Sequence, residues 1–215
     1  MTPLDKTNVR AIVRRMSKGE DTRAAILGRA LAVTSELGLE GLSIGSLAQD
    51  LGMSKSGLFA HFGSKEDLQL QVLELAVERF VAAVVQPALA APRGEPRVRA
   101  LFDNWLAWAE ATFLPGGCVF IAAANELDDR PGPLRDRLVE SQQQWLAVLA
   151  RAARIAQEEG HFRGDLDAEQ FAYETYAVAL AYHHFRRLLR DPGARDRARR
   201  AFDDLMRGAR QGAAA

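Results

Sequence analysis

Between Ser54 and Phe62 the chain reads SKSGLFAHF, a stretch that sets hydrogen-bonding and small residues between large apolar ones. Leu58, Phe59 and Phe62 are the expected buried side. Lys55, Ser56, Gly57, Ala60 and His61 are left outward, a surface with little bulk that can both donate and accept hydrogen bonds. Such a surface suits a helix that must lie in a DNA major groove about 12 Å wide, where base edges are read by short polar side chains.

Bond-making chemistry finds little support elsewhere. The chain contains no GxxxxGK[ST] loop, no HExxH and no paired CxxC. His183 and His184 are adjacent, so on a helix they point about 100° apart and cannot share a metal as an i, i+4 pair would. Glu126, Asp128 and Asp129 gather before Arg130, where a helix end ordinarily carries solvated charge. No catalytic residue, metal ligand or cofactor is expected. Cys118 follows Gly116 and Gly117 at the expected start of a helix, a position that favours a reactive thiolate, but Val119, Phe120 and Ile121 come next and argue for burial.

The recognition surface needs helices to hold it. Ile44, Leu47, Ala48 and Leu51 have the spacing of a one-sided helix with Ser43 as its cap; Gly52 permits a sharp reversal and Met53 plugs the angle. Ser54 caps the second helix. Ser64, with Asp67 three residues on, has the form of a capping box opening a third, which sets the Lys65 ammonium beside a helix N-terminus where a phosphate can sit. Upstream, Ile26, Ala30, Val33 and Leu37 mark a further helix that stops at Gly38.

The helix from Thr22 to Leu37, the connector GLEGLS and the run LAQDLGMSKSGLFAHFGSKEDL resemble, in spacing and in residue type, the N-terminal domain of TetR-type transcriptional repressors. The resemblance covers roughly the first third of the chain. It implies a helix-turn-helix contacting DNA through Ser43, Ser54, Lys55, Ser56, Gly57, Phe59, His61 and Lys65. Two departures stand out: many members carry Gly-Thr where this chain has Ser56 and Gly57, and a phosphate-contacting Tyr where it has Phe59.

The composition is that of an ordinary globular protein: 215 residues, 48% hydrophobic, with 28 basic residues matched by 28 acidic ones. Attraction to nucleic acid must therefore be local. Residues 1 to 65 carry nine Lys and Arg against six Asp and Glu, a mildly basic head. No apolar run approaches the roughly 20 residues of a membrane span, the N-terminus lacks a signal-peptide core, and a lone cysteine forms no intrachain disulfide, so a cytoplasmic protein is expected.

The expected fold is all-α: a flexible basic arm over 1–20, a three-helix head over 21–66, a helical body over 67–208 and a frayed tail over 209–215. A long helix from Lys65 to about Val85 joins head to body. Pro87, Pro92, Gly94 and Pro96 are expected to break the helical pattern, and later breaks leave stretches near 98–114, 117–127, 134–159, 167–190 and 195–207. Two of these form a hairpin, one presenting Leu138, Trp145, Leu149 and Ala152 and the other Phe171, Val178, Tyr182 and Phe185. Such stripes either pack on a second copy, as the resemblance favours, or fill the monomer core.

The body is also rich in rings. Trp105 with Trp108, and Tyr173 with Tyr176, each at i, i+3, offer apolar walls with polar handles; Phe113, Cys118 and Phe120 extend the wall, and Asn125 is the neutral amide that could orient a ligand. The resemblance implies a small-molecule inducer among the body helices. Two readings stay open at this point: a dimeric repressor released by a small molecule, or an all-helical DNA-binding or protein-interaction module without an effector.

Overall fold

The computed structural model describes residues 18–210. Helix α1 runs Lys18–Leu37, α2 Ile44–Asp50, α3 Lys55–Phe62 and α4 Lys65–Phe80, followed by α5 Gln86–Leu89, α6 Glu95–Ala109, α7 Val119–Leu127, α8 Pro133–Glu158, α9 Ala168–Arg187 and α10 Ala194–Ala209. No strand occurs among the described residues; an isolated backbone bridge pairs Phe162 with Arg210. The arm expected over 1–20 lies outside the described residues except for Lys18 to Glu20, which open α1. Of the expected tail, residues 211–215 also lie outside them.

All three serine caps form. The hydroxyl oxygens of Ser43, Ser54 and Ser64 accept from the amides of Ser46, Gly57 and Asp67 at 3.4, 3.0 and 3.0 Å, which fixes where α2, α3 and α4 begin. Gly52, at φ +63, makes the reversal between α2 and α3 in a left-handed conformation that a side chain would resist. Beneath these helices lie Ile26, Ala30, Leu31, Leu47, Leu58 and Phe62, joined by Leu68 and Val72 of α4. Leu37, expected in this core, is instead 63% exposed, because Gly38 ends α1 and the chain turns before that last position is covered.

Proline does not stop the long helix where expected. After Phe80 the backbone widens into a π-turn over Val81–Val85, with the Gln86 amide reaching back to the Val81 carbonyl, and continues through Pro87 to Leu89. Pro87 has no N–H to give. The widened turn accommodates the ring, and Asn104 of α6 donates to the Val84 carbonyl at 3.0 Å. Pro96 likewise sits inside α6, in the first turn, where a missing N–H costs nothing.

The body core is knotted by aromatic rings. Phe80, the last residue of α4, meets Trp108 of α6, Phe120 of α7 and Trp145 of α8 edge to face at 5.4, 5.6 and 4.9 Å. Each such pair contributes about 0.5–1.5 kcal/mol beyond its buried area, so this residue locks the end of α4 to three body helices. Phe102 stacks on Phe202 at 3.9 Å and holds α10 against α6. The hairpin stripe is used inside the monomer: Leu138, Trp145, Leu149, Ala152, Phe171 and Tyr182 are all buried within one chain, and Phe185 is exposed instead.

Candidate functional site

On α3, Leu58 and Phe62 point into the core, while Lys55, Ser56, Phe59 and Ala60 face outward and Gly57 and His61 are half-buried. Phe59 is 49% exposed, which corrects its expected burial; on an eight-residue helix Leu58 and Phe62 already fill the inward stripe, and residue 59 is carried past its edge. The outward face thus joins one ammonium, one hydroxyl and one aromatic ring around small residues. Ser56 lies 3.3 Å from the Ser54 cap oxygen. The Lys55 side chain folds towards the start of α2, where a Cβ on Gly45 would stand 3.1 Å from its Cε.

Three long-range contacts hold this face. Arg23 of α1 donates to the His61 carbonyl and, at 2.5 Å, to Gln71 of α4, while its guanidinium lies 4.9 Å from the Phe62 ring centre. Arg29 pairs with Asp50 at 2.7 Å and ties α1 to α2. Lys65, expected as a free phosphate contact, donates to the Glu40 carbonyl at 3.0 Å and lies 3.5 Å from the Glu40 carboxylate. It remains partly exposed at the N-terminus of α4, where an incoming phosphate would compete with Glu40.

The connector between α1 and α2 is the joint between head and body. Buried Gln69 of α4 donates to the Leu39 carbonyl at 2.7 Å. From the body, the Glu126 carboxylate of α7 accepts from the Leu39 and Glu40 amides at 2.8 and 3.2 Å. The Ser35 hydroxyl accepts from the Gly116 amide at 2.9 Å. Glu126 is therefore a structural acceptor and not part of a solvated acidic cluster; no group of histidine, cysteine or carboxylate residues able to hold a metal occurs among the described residues.

A cavity of about 170 Å3 opens in the body between α4, α6, α7, α8 and α9. Of the expected ligand residues, Trp105, Cys118, Phe120 and Tyr176 line it, together with Val77, Phe80, Val81, Val85, Ile121, Ser141, Gln142, Gln144, Trp145 and Val148. The others do not. Trp108 is buried behind Phe80 and Phe120, Phe113 lies over Arg79, Asn125 is exposed, and Tyr173 is 66% exposed. Tyr173 and Tyr176 are only three residues apart, but that offset straddles the edge of the buried face of α9, so one ring looks out and the other in.

The cavity wall is uncharged. Tyr176 donates to Gln142 Oε1 at 2.7 Å, and burial pushes its phenol up to about 12. Burial also raises the Cys118 thiol, against smaller opposing contributions from the Ile121 and Phe120 amides and the Trp108 indole. That indole N–H is buried without a hydrogen bond of ordinary geometry, so we read its contact with the thiol as weak. Cys118 is buried, as its apolar neighbours imply.

Arg23, Gln69 and Glu126 escape sequence reading, since a lone arginine, glutamine or glutamate has no local signature of its distant partner. The Gln142–Gln144 run just before Trp145 was a legible sign of a polar lining.

Residues 26–72 match the family model of bacterial regulatory proteins, tetR family, and residues 94–202 match the model of the tetracyclin repressor-like C-terminal domain. An uncharacterized HTH-type transcriptional regulator of Bacillus subtilis, YezE, is 33% identical over 81 residues, which are 38% of this chain and 42% of that protein; the match thus spans about two fifths of that relative's length. A TetR transcriptional regulator from Chloroflexus aurantiacus superposes with a TM-score of 0.80 at 25% identity, over 92% of this chain and all of that one. AibR, crystallised with isovaleryl coenzyme A and operator DNA, shares the fold with a TM-score of 0.66 at 20% identity, over 86% of this chain and 95% of that one. The chain belongs to the TetR family of transcriptional regulators, a family of helix-turn-helix proteins that are not enzymes.

Proposed function

We propose that this protein is a ligand-responsive repressor that binds an inverted-repeat operator as a homodimer and leaves it when a small molecule fills the body cavity. The observation that carries the DNA-binding part is the outward face of α3, where Lys55, Ser56 and Phe59 stand clear of a core closed by Leu58 and Phe62. The head over 21–66 makes the DNA contacts and the body over 67–208 holds ligand and partner. Lys55, Ser56 and His61 bear on base preference; Lys65 and the Ser43 turn contact phosphate.

A second copy is proposed to cover the outward face of α9. Tyr173, Leu180, Phe185 and Leu188 are exposed there, a one-sided apolar row left over after the inward face has filled the core. Pairing places two recognition helices on half-sites one helical turn apart, about 34–36 Å. The cavity supports the ligand-responsive reading over an effector-free one, as does the fold shared with AibR, which takes both a coenzyme A thioester and operator DNA. Such a regulator works in the cytoplasm; no described helix is long and apolar enough to cross a membrane.

Selection of bound sequences from a random DNA pool tests this directly. An enriched palindrome whose base preference changes with Ser56→Ala or His61→Ala is the expected result. A pool that converges on nothing would remove the proposal.

A further inference from the structure

We propose that the effector is a small uncharged molecule of single-ring size whose one polar group is a hydroxyl, seated against Gln142 and Tyr176. This rests on the reading of the cavity as the effector site. Size comes first. An apolar cavity of about 150 Å3 admits a benzene ring, and the volume here is about 170 Å3. Aromatic rings share the wall with valine and isoleucine, and Phe80 meets Phe120 and Trp145 edge to face at 5.6 and 4.9 Å, the geometry in which a further ring is accepted.

Charge comes second. None of the lining residues is basic or acidic, so an ionised ligand group inside would lose its hydration without gaining a partner, which is strongly unfavourable. Tyr176 remains a neutral phenol over the whole working pH range and supplies no compensating charge.

The polar end is specified by what the two side chains have left to offer. Tyr176 gives its proton to Gln142 Oε1, so its oxygen still has lone pairs for an incoming donor. Gln142 keeps its amide N–H groups for an incoming acceptor. A hydroxyl answers both at once; a carbonyl can answer only the amide. Ser141 does not compete, since its hydroxyl is spent on the Leu138 carbonyl at 2.7 Å. The mouth lies at exposed Val81 and Gln144, between the π-turn and α8.

The test uses three probes of one shape: para-cresol, para-xylene and para-toluate, titrated by calorimetry into the intact protein. Saturable binding of para-cresol is expected, para-xylene about tenfold weaker, and para-toluate weaker still by roughly a hundredfold or more. Gln142→Leu and Tyr176→Phe should bring para-cresol down to the affinity of para-xylene and leave para-xylene unchanged, a pattern that a folding defect would not produce. Val148→Trp, which fills the space, should abolish both. If para-toluate binds as well as para-cresol, the uncharged class is overturned while the cavity stands; equal binding of cresol and xylene removes the hydroxyl seat. Should no probe bind, or should Val148→Trp bind them normally, the assignment of this cavity falls as well.

Discussion

Glu126, in the last turn of α7, accepts two backbone N–H bonds from the chain that leaves α1, at Leu39 and Glu40, and does so across the boundary between head and body. The bond from Leu39 is partly buried and the one from Glu40 exposed, so the first is the stronger tie, above the roughly 0–1 kcal/mol of the exposed ion pairs around it. Glu126→Ala should leave those two amides without an acceptor. The expected outcome is faster hydrogen exchange at Leu39 and Glu40 together with unchanged affinity for para-cresol.

Gly38 makes that contact possible. It sits at φ +76, and a Cβ placed there would fall 1.5 Å from a Glu126 carboxylate oxygen. Gly38→Ala therefore carries two costs: about 1–2 kcal/mol for the left-handed backbone and a further cost for expelling the carboxylate. Only the second depends on Glu126. The pair Gly38→Ala and Glu126→Ala should lose less stability than the sum of the single variants, measured by urea unfolding in a double-mutant cycle. Simple additivity would show that the glycine serves the turn alone.

On α3 the exposed ring of Phe59 separates DNA contact from folding. Being half out of the core, Phe59→Ala should change stability by less than about 0.5 kcal/mol while lowering operator affinity. Lys65→Ala should weaken all sequences alike and flatten the dependence of log affinity on log salt by about one unit, even though Glu40 is its partner in the free protein. A change in base preference with Lys65→Ala would mean that it reads sequence.

The head was readable because its determinants are local. Ser43, Ser54 and Ser64 each cap a helix that starts at the next residue, and Gly38 and Gly52 take the left-handed turns their positions imply. The cavity was readable only in part. Trp105, Cys118, Phe120 and Tyr176 reach it, whereas Trp108, Phe113, Asn125 and Tyr173 fall elsewhere, because helix spacing fixes which residues share a face but not where neighbouring helices end that face. Pro87 misled for a related reason. The chain passes Pro87 through the widened turn over Val81–Val85, beside which Asn104 of α6 donates to the Val84 carbonyl, and no local pattern announces that distant partner.

A pH-dependent tie closes the other end of the body. Arg210, Arg99 and Glu95 bring the start of α6 to the end of α10, and the Glu95 carboxyl is held at about 2, chiefly by the hydrogen bond from Arg210. Since the folded value lies below the ordinary 4.5, this contact stabilises the fold above pH 4.5 and its contribution fades as pH falls towards 2. Arg210→Ala should lower the melting temperature at pH 7 and do so progressively less as pH falls from 4.5 through 2. Carboxyl chemical shifts should show the Glu95 titration moving upward in the variant.

Two helices run from the cavity wall to the head. Helix α4 contributes Val77 and Phe80 to the cavity and begins at Lys65; α7 contributes Phe120 and Ile121 and ends in the Glu126 contact. Under the proposed induction, a ligand that prefers one spacing of these helices would shift the spacing of the recognition helices, and one with equal affinity for both states would shift nothing. The expected coupling is about 1–3 kcal/mol, or roughly 5- to 150-fold in operator affinity. By reciprocity, operator DNA must weaken ligand binding by the same factor. With para-cresol as the probe, its dissociation constant should rise by that factor when the dimer is held on selected DNA. Glu126→Ala should shrink the ratio while leaving the free-protein value alone, because it cuts one carrier without touching the cavity. Equal constants on free and DNA-bound protein would refute induction through this cavity, and a ratio indifferent to Glu126 would assign the whole effect to α4.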